Sequence, residues 1–288
     1  MRNEHEMFDL ILNTARADER VRAVILNGSR ADPGTKRDPF QDFDIVYLVT
    51  DLQPFRRDPA WIDCFGERMI LQMPDDMGDS PRREIGYAYL MQFADGNRID
   101  LTLYPVEKLD AMERDSLSVL LLDKDGIVKP FPPPSAADYA PKPPTAKAFA
   151  DCCNEFWWCS PYVAKGLWRR RIPYARYMLD TVLRGQLMKM LDWYAGVKTD
   201  FSSGTGNMGK HLEENLEPDN WNLWLRTYAD SDIENSWDAL EAMGALFRIA
   251  AGKVAEHFGF GYPGGDDERV SAHLKHVRRL PADAGEIY

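Results

Sequence analysis

Residues 24–49 read VILNGSRADPGTKRDPFQDFDIVYLV. The run Val24–Leu26 continues a branched apolar stretch that starts at Val21 and stops at Asn27-Gly28-Ser29, which predicts a buried strand ending in a tight turn. Phe43–Val49 predicts a second buried strand. Asp42 and Asp44 stand at its mouth on one face, because alternate strand residues share a face, with about 7 Å between their Cα positions. Two carboxylates so placed repel, and burying either without a partner is costly. Hard oxygen donors of this kind suit magnesium, which takes one or two carboxylates and completes its shell with phosphate oxygens and water. The Gly-Ser turn supplies the matching half. Gly28 lets the backbone approach a phosphate closely, exposed amides favour anions, and the Ser29 hydroxyl donates. Arg30 adds a positive charge in this reading. A lone Gly-Ser or Asp-x-Asp is common and reads equally as a turn and a solvated strand end; the ordered combination points to a nucleotide held on magnesium.

Working outward, Ile85–Phe93 and Arg98–Tyr104 predict two further strands. In the latter, Ile99, Leu101 and Leu103 take the core face and Asp100 the opposite one, which makes Asp100 the expected third acid. Its roles are metal ligand, general base, or both in succession; the plain alternative is a solvated strand acid after the turn ADGNR. Residues 3–17 place Met7, Leu10, Ile11 and Thr14 at helical spacing and predict an amphipathic helix. Between Lys129 and Lys147 seven prolines fix backbone angles and remove donors, which marks a domain boundary. Beyond it, Phe149–Arg171, Pro173–Tyr194 and Trp237–Phe258 carry helical periodicity. Gly259–Tyr288 reads as a surface helix or a tail. The expected class is α+β: a mixed-sheet domain over 1–132, a proline-rich linker over 133–147, and a helical substrate-binding domain over 148–288.

Composition narrows the partners. The 288 residues carry a formal charge of −11, which argues against a nucleic-acid binder and suits a cationic partner. The apolar runs, Val119–Leu122 among them, fall far short of the roughly 20 residues that cross a bilayer, and MRNEHEMFDL lacks a basic flank followed by an apolar segment. A soluble, cytoplasmic protein with no membrane partner is expected. Cys64, Cys152, Cys153 and Cys159 show neither disulfide density nor paired metal spacing, and read as free buried thiols. With no evident self-complementary patch, a monomer is the expectation.

The order of motifs (Gly-Ser turn, about a dozen residues, Asp-x-Asp on a strand, a later strand Asp) resembles the nucleotidyltransferase superfamily with the DNA polymerase beta type of fold. More narrowly, LNGSRADPGTKRDPFQDFDIVYLVTD, RIDLTLYPVEKL, DCCNEFWWCSPYVAKGLWRRRIPYARYMLD, MLDWYAG and GNMGKHLEENL are similar to the aminoglycoside 6-adenylyltransferases, over almost the whole chain. That resemblance implies magnesium-assisted transfer of AMP from ATP to the 6-hydroxyl of streptomycin, with pyrophosphate leaving and antibiotic resistance as the outcome. It maps Gly28, Ser29 and Arg30 onto the triphosphate-binding turn, Asp42 and Asp44 onto the metal ligands, and Asp100 onto the third acid. Gly209-Lys210 maps onto a phosphate contact from the second domain, although Lys210 also reads as an exposed lysine. The acceptor is expected in a cleft between the domains. There Glu155 would pair with a guanidinium, or serve as base if Asp100 is purely a metal ligand, and Trp157, Trp158 or Tyr162 would form an aromatic wall. Adjacent helical residues point about 100° apart, so at most one of the two tryptophans faces a ligand. The alternatives are a nucleotidyltransferase acting on a protein hydroxyl or an RNA end, and a noncatalytic nucleotide-binding module.

Overall fold

A computed structural model describes residues 1–78 and 85–288 of the chain, which divides into two compact units, Met1–Asp138 and Tyr139–Tyr288. The first opens with α1 (Glu4–Ala17), whose N-terminus carries a reciprocal cap: the Glu6 amide donates to the Asn3 side chain and the Asn3 amide to the Glu6 carboxylate. Met7, Ile11 and Ala15 form its buried stripe. After β1 (Val21–Asn27) and β2 (Phe43–Val49) come the short α2 (Gln53–Arg57), then β3 (Arg68–Gln72), β4 (Tyr87–Phe93), β5 (Arg98–Pro105) and β6 (Ser118–Asp123).

Among the described residues these six strands form one sheet in the order β3-β4-β5-β2-β1-β6. The β2–β5 pair is parallel and the others are antiparallel, so the sheet is mixed, as expected. One face packs Phe43, Ile45, Tyr47, Ile99, Leu101 and Leu103 into the main core with α1. The other face carries a smaller apolar cluster, in which Ala23, Ile25, Val46, Leu48 and Tyr104 meet Met112, Val128 and Phe131. That second face leaves its end nearest the start of β2 to polar residues.

Two of the six strands were not expected. β3 is an edge strand with Met69 67% and Ile70 65% exposed, so it shows no in-out alternation to read. β6 has an irregular register against β1, and its apolar run is too short to separate strand from helix by periodicity.

The second unit is helical, as expected: α3 (Ala146–Trp168), α4 (Ile172–Tyr177), α5 (Arg184–Thr199), α6 (Leu212–Asn215), α7 (Pro218–Leu225), α8 (Ile233–Phe258) and α9 (Gly264–Arg279). Thr145 caps α3 by accepting from the Ala148 amide. The segment read as one helix over Pro173–Tyr194 instead passes from α4 through a π-helical turn, Met178–Leu183, into α5. The core centres on α3, α5 and α8, with Phe156 stacked on Phe247 at a centroid distance of 3.9 Å. Cys152, Cys153 and Cys159 are free and buried, as read; Cys64 is free but exposed, which corrects its expected burial. Among the described residues no helix is long and apolar enough to cross a membrane.

Candidate active site

The turn after β1 is a single 3-10 turn, Gly28–Arg30, in which Gly28 has φ +71°. Its place is fixed by the Gly28 amide donating to the Leu117 carbonyl at 3.0 Å, just before β6. Only glycine fits here. The backbone angle is left-handed, and a Cβ would stand 2.3 Å from Asp44 Oδ2. The turn and the Asp44 carboxylate are therefore in direct apposition. Gln41 Nε2 donates to the Ser29 hydroxyl at 3.3 Å, tying the end of the 32–41 loop back to the turn.

Asp44 is cross-strand partner to Asn27 on β1 and to Asp100 on β5, so the pairing itself brings the two acids side by side. Asp42 lies immediately ahead of β2. Burial pushes Asp44 up to about 6, and the Asp100 and Asp42 charges push the same way. Burial also raises Asp42, against the pull of Arg98 and with a further push from Asp100. Asp44 thus feels both of the other acids, and Asp42 feels Asp100.

Arg98 is their shared cation. It lies two residues before Asp100 on the same strand face, donates to both Asp100 oxygens at 2.8 and 2.7 Å, and reaches within 3.6 Å of Asp42 Oδ2. Sequence reading did not single it out, although the parity that placed Asp100 on this face also places Arg98 there. Among the described residues no group of three His, Cys, Asp or Glu side chains stands ready as a metal cage. The guanidinium instead holds the charge that a divalent cation would supply. Three carboxylates, one raised to about 6 by burial and mutual repulsion, are a hard-oxygen donor set that fits magnesium.

Arg30 requires a correction. Expected at the phosphates, it is only 8% exposed and points inward. Its Nε donates to the Asp42 carbonyl at 3.0 Å and its Nη2 to the Gln41 carbonyl at 2.8 Å, while the guanidinium lies 3.9 Å from the Phe43 ring centroid and 3.3 Å from Glu4 Oε1. It braces the approach to β2 and so sets where Asp42 stands.

In the second unit, Lys210 is exposed and follows a glycine-rich turn closed by the His211 amide on the Thr205 carbonyl at 2.7 Å. Glu155, Trp158 and Tyr162 follow one another along the outer side of α3 at helical spacing, with Trp158 64% exposed and its indole N–H donating to the Tyr162 hydroxyl at 3.1 Å. Trp157 does not join them. It is 2% exposed, packs edge-on against Phe156 and donates to the Tyr262 hydroxyl, so its ring belongs to the core and not to the exposed row.

Residues 1–277 match the family described as Streptomycin adenylyltransferase. The chain belongs to that family. It is 42% identical over 276 residues to an aminoglycoside 6-adenylyltransferase of Campylobacter jejuni, covering 95% of each chain. Proteins of the same description from Bacillus subtilis (38% over 271 residues, 93% of this chain and 95% of the relative) and Staphylococcus aureus (34% over 266 residues, 91% and 94%) match along the same extent. As a member of the adenylyltransferase family the chain is a transferase.

Proposed function

We propose that the chain transfers AMP from ATP to the 6-hydroxyl of streptomycin, releasing pyrophosphate and inactivating the drug. The observation that supports this reading most strongly is the apposition of the Gly28-Ser29 turn to the converging carboxylates of Asp42, Asp44 and Asp100. Asp42 and Asp44 would hold magnesium, with Asp100 completing the set. The ion, when bound, supplies positive charge against the negative charge that grows on the α-phosphoryl group and the departing pyrophosphate. Gly28 admits the triphosphate close to the backbone and Ser29 donates to it. Lys210 is the proposed cationic contact to the phosphates from the second unit.

Both oxygens of Asp100 are engaged by the Arg98 guanidinium, so Asp100 would serve the reaction only with Arg98 turned away from it. Asp100 then accepts the proton of the attacking hydroxyl. One bond forms from the acceptor oxygen to the α-phosphorus and one breaks between the α-phosphorus and the bridging oxygen, which leaves with pyrophosphate. Arg30, by fixing the Asp42 and Gln41 carbonyls, keeps the strand mouth in place. Glu155 pairs with a guanidinium of the drug, and Trp158 and Tyr162 supply the exposed aromatic surface.

Pyrophosphate release from ATP and magnesium, with and without streptomycin, tests the reaction, and the mass of the drug tests the product. Release that requires the drug, with one adenylate added at the 6-position, is the expected outcome. Release that requires a different acceptor, or no release with any, overturns the proposal.

A further inference from the structure

Strand alternation continues the face that bears the acids. Beyond Asp44 on β2 comes Val46, and beyond Asp100 on β5 come Thr102 and Tyr104, each step about 7 Å along the strand. Over these residues, within the first unit, lies a cavity of about 440 Å³, within the range of small-molecule sites. Ile25 and Val46 give it an apolar floor, and Tyr104 and Phe131 give it aromatic walls. The segment leading into β6 contributes Glu113 and Asp115.

The charged side chains lining this cavity are two carboxylates, Glu113 and Asp115, and one guanidinium, Arg114. Asp115 stands near enough to Asp44 for its charge to act on that carboxylate. Arg114, between the two acids in sequence, also lines the cavity: its guanidinium lies over the Phe131 ring at 5.0 Å and donates to the Lys129 carbonyl, so the two carboxylates outnumber it and leave the lining net negative. Two carboxylates added beside three others repel phosphates and attract cations. The apolar floor suits the carbon face of a saturated ring, and a ring resting on Val46 and Thr102 lies one alternation step from Asp100.

We infer that this cavity seats the cationic acceptor, a hydroxylated ring bearing guanidinium or ammonium groups, with Glu113 and Asp115 as its specificity-determining carboxylates. The inference rests on the adenylyl-transfer reading for the presence of such an acceptor, and it assigns the side of the acid cluster from which the hydroxyl approaches. ATP is thereby confined to the Gly28-Ser29 side.

Calorimetric titration of streptomycin into the full chain tests this without turnover, using Glu113→Gln, Asp115→Asn and the double variant. Asp115→Asn retains a side-chain carbonyl for the Leu117 amide, which Asp115 Oδ1 accepts at 2.8 Å, and the melting temperature reports whether the fold is kept. The expected result is weaker drug binding, about threefold for each single change and about tenfold for the double, with ATP affinity and melting temperature unchanged. Wild-type binding that the variants leave intact, no binding by any form, or a loss confined to ATP overturns the inference. Drug binding that weakens in the variants while the wild type transfers no adenylate upholds the cavity assignment and sinks only the reaction.

Discussion

Asp44→Asn separates the acid's functional role from its structural cost. Asp44 has a folded-state pKa of about 6 against 3.8 for a free aspartate, so its ionised form is disfavoured by the fold. At about 1.4 kcal/mol per unit, the ionised carboxylate costs roughly 3 kcal/mol of stability. The cost is fully present above pH 6, shrinks as the pH falls between the two values, and vanishes below 3.8. An isosteric amide removes it, because the substituted side chain carries no charge beside Asp42 and Asp100. In metal-free protein at pH 7.5 the variant should melt higher than wild type by roughly 6 to 12 °C, taking about 2–4 °C per kcal/mol for units of this size. At pH 4 the gap should close. Magnesium should raise the wild-type melting temperature and leave the variant nearly unmoved, and adenylyl transfer by the variant should be lost. Scanning calorimetry at both pH values, with and without magnesium, supplies the measurement. A variant that melts at or below wild type at pH 7.5, or a gap that persists unchanged at pH 4, refutes the reasoning.

Other expectations follow from neighbouring contacts. Arg98→Ala should tighten binding of Mn²⁺ without nucleotide by roughly tenfold, about 1.4 kcal/mol, since it removes the cation that now occupies Asp100; paramagnetic titration showing unchanged or weaker binding would contradict this. Gly28→Ala should cut kcat/KM for ATP by on the order of 100-fold, because the new methyl displaces Asp44; near-normal turnover would exclude the apposition. In the second unit, burial alone would raise Glu217, yet Tyr194, Lys198 and Asn220 hold it down to about 2. Its stabilising contribution is therefore complete above about 4.5 and is lost as the pH falls toward 2. Glu217→Gln should flatten the acid limb of a stability–pH curve over that window, and an unaltered limb would show that the bonds contribute nothing there.

The sheet's central strands were legible because β1, β2 and β5 are buried on at least one face and print their parity as apolar residues. The same parity gave Asp44 and Asp100 their shared face, and the long helices announced themselves by period. What escaped depends on contacts made far along the chain. Arg30 looks like a phosphate ligand beside a Gly-Ser turn, and only the folded loop shows its guanidinium held by the Asp42 and Gln41 carbonyls. Trp157 and Trp158 are indistinguishable as residues, and the partner that settles Trp157 in the core, Phe247, lies on α8. Glu113 and Asp115 were passed over because β6, which brings their segment beside the turn, was not read as a strand.

The parallel pairing of β2 with β5 has a consequence for how the enzyme can vary. Asp44 and Asp100 are 56 positions apart in the chain, yet they are register partners, so a rung of the hydrogen-bond ladder, about 4.8 Å, acts as the ruler between them. The excursion through α2, β3 and β4 can lengthen or shorten without stretching that ruler. A slip of one residue in the pairing would instead turn Asp100 toward the core. The spacing of Asp44 and Asp100 is thus insulated from insertions in the intervening segment and exposed to any change that unzips this single pair of strands.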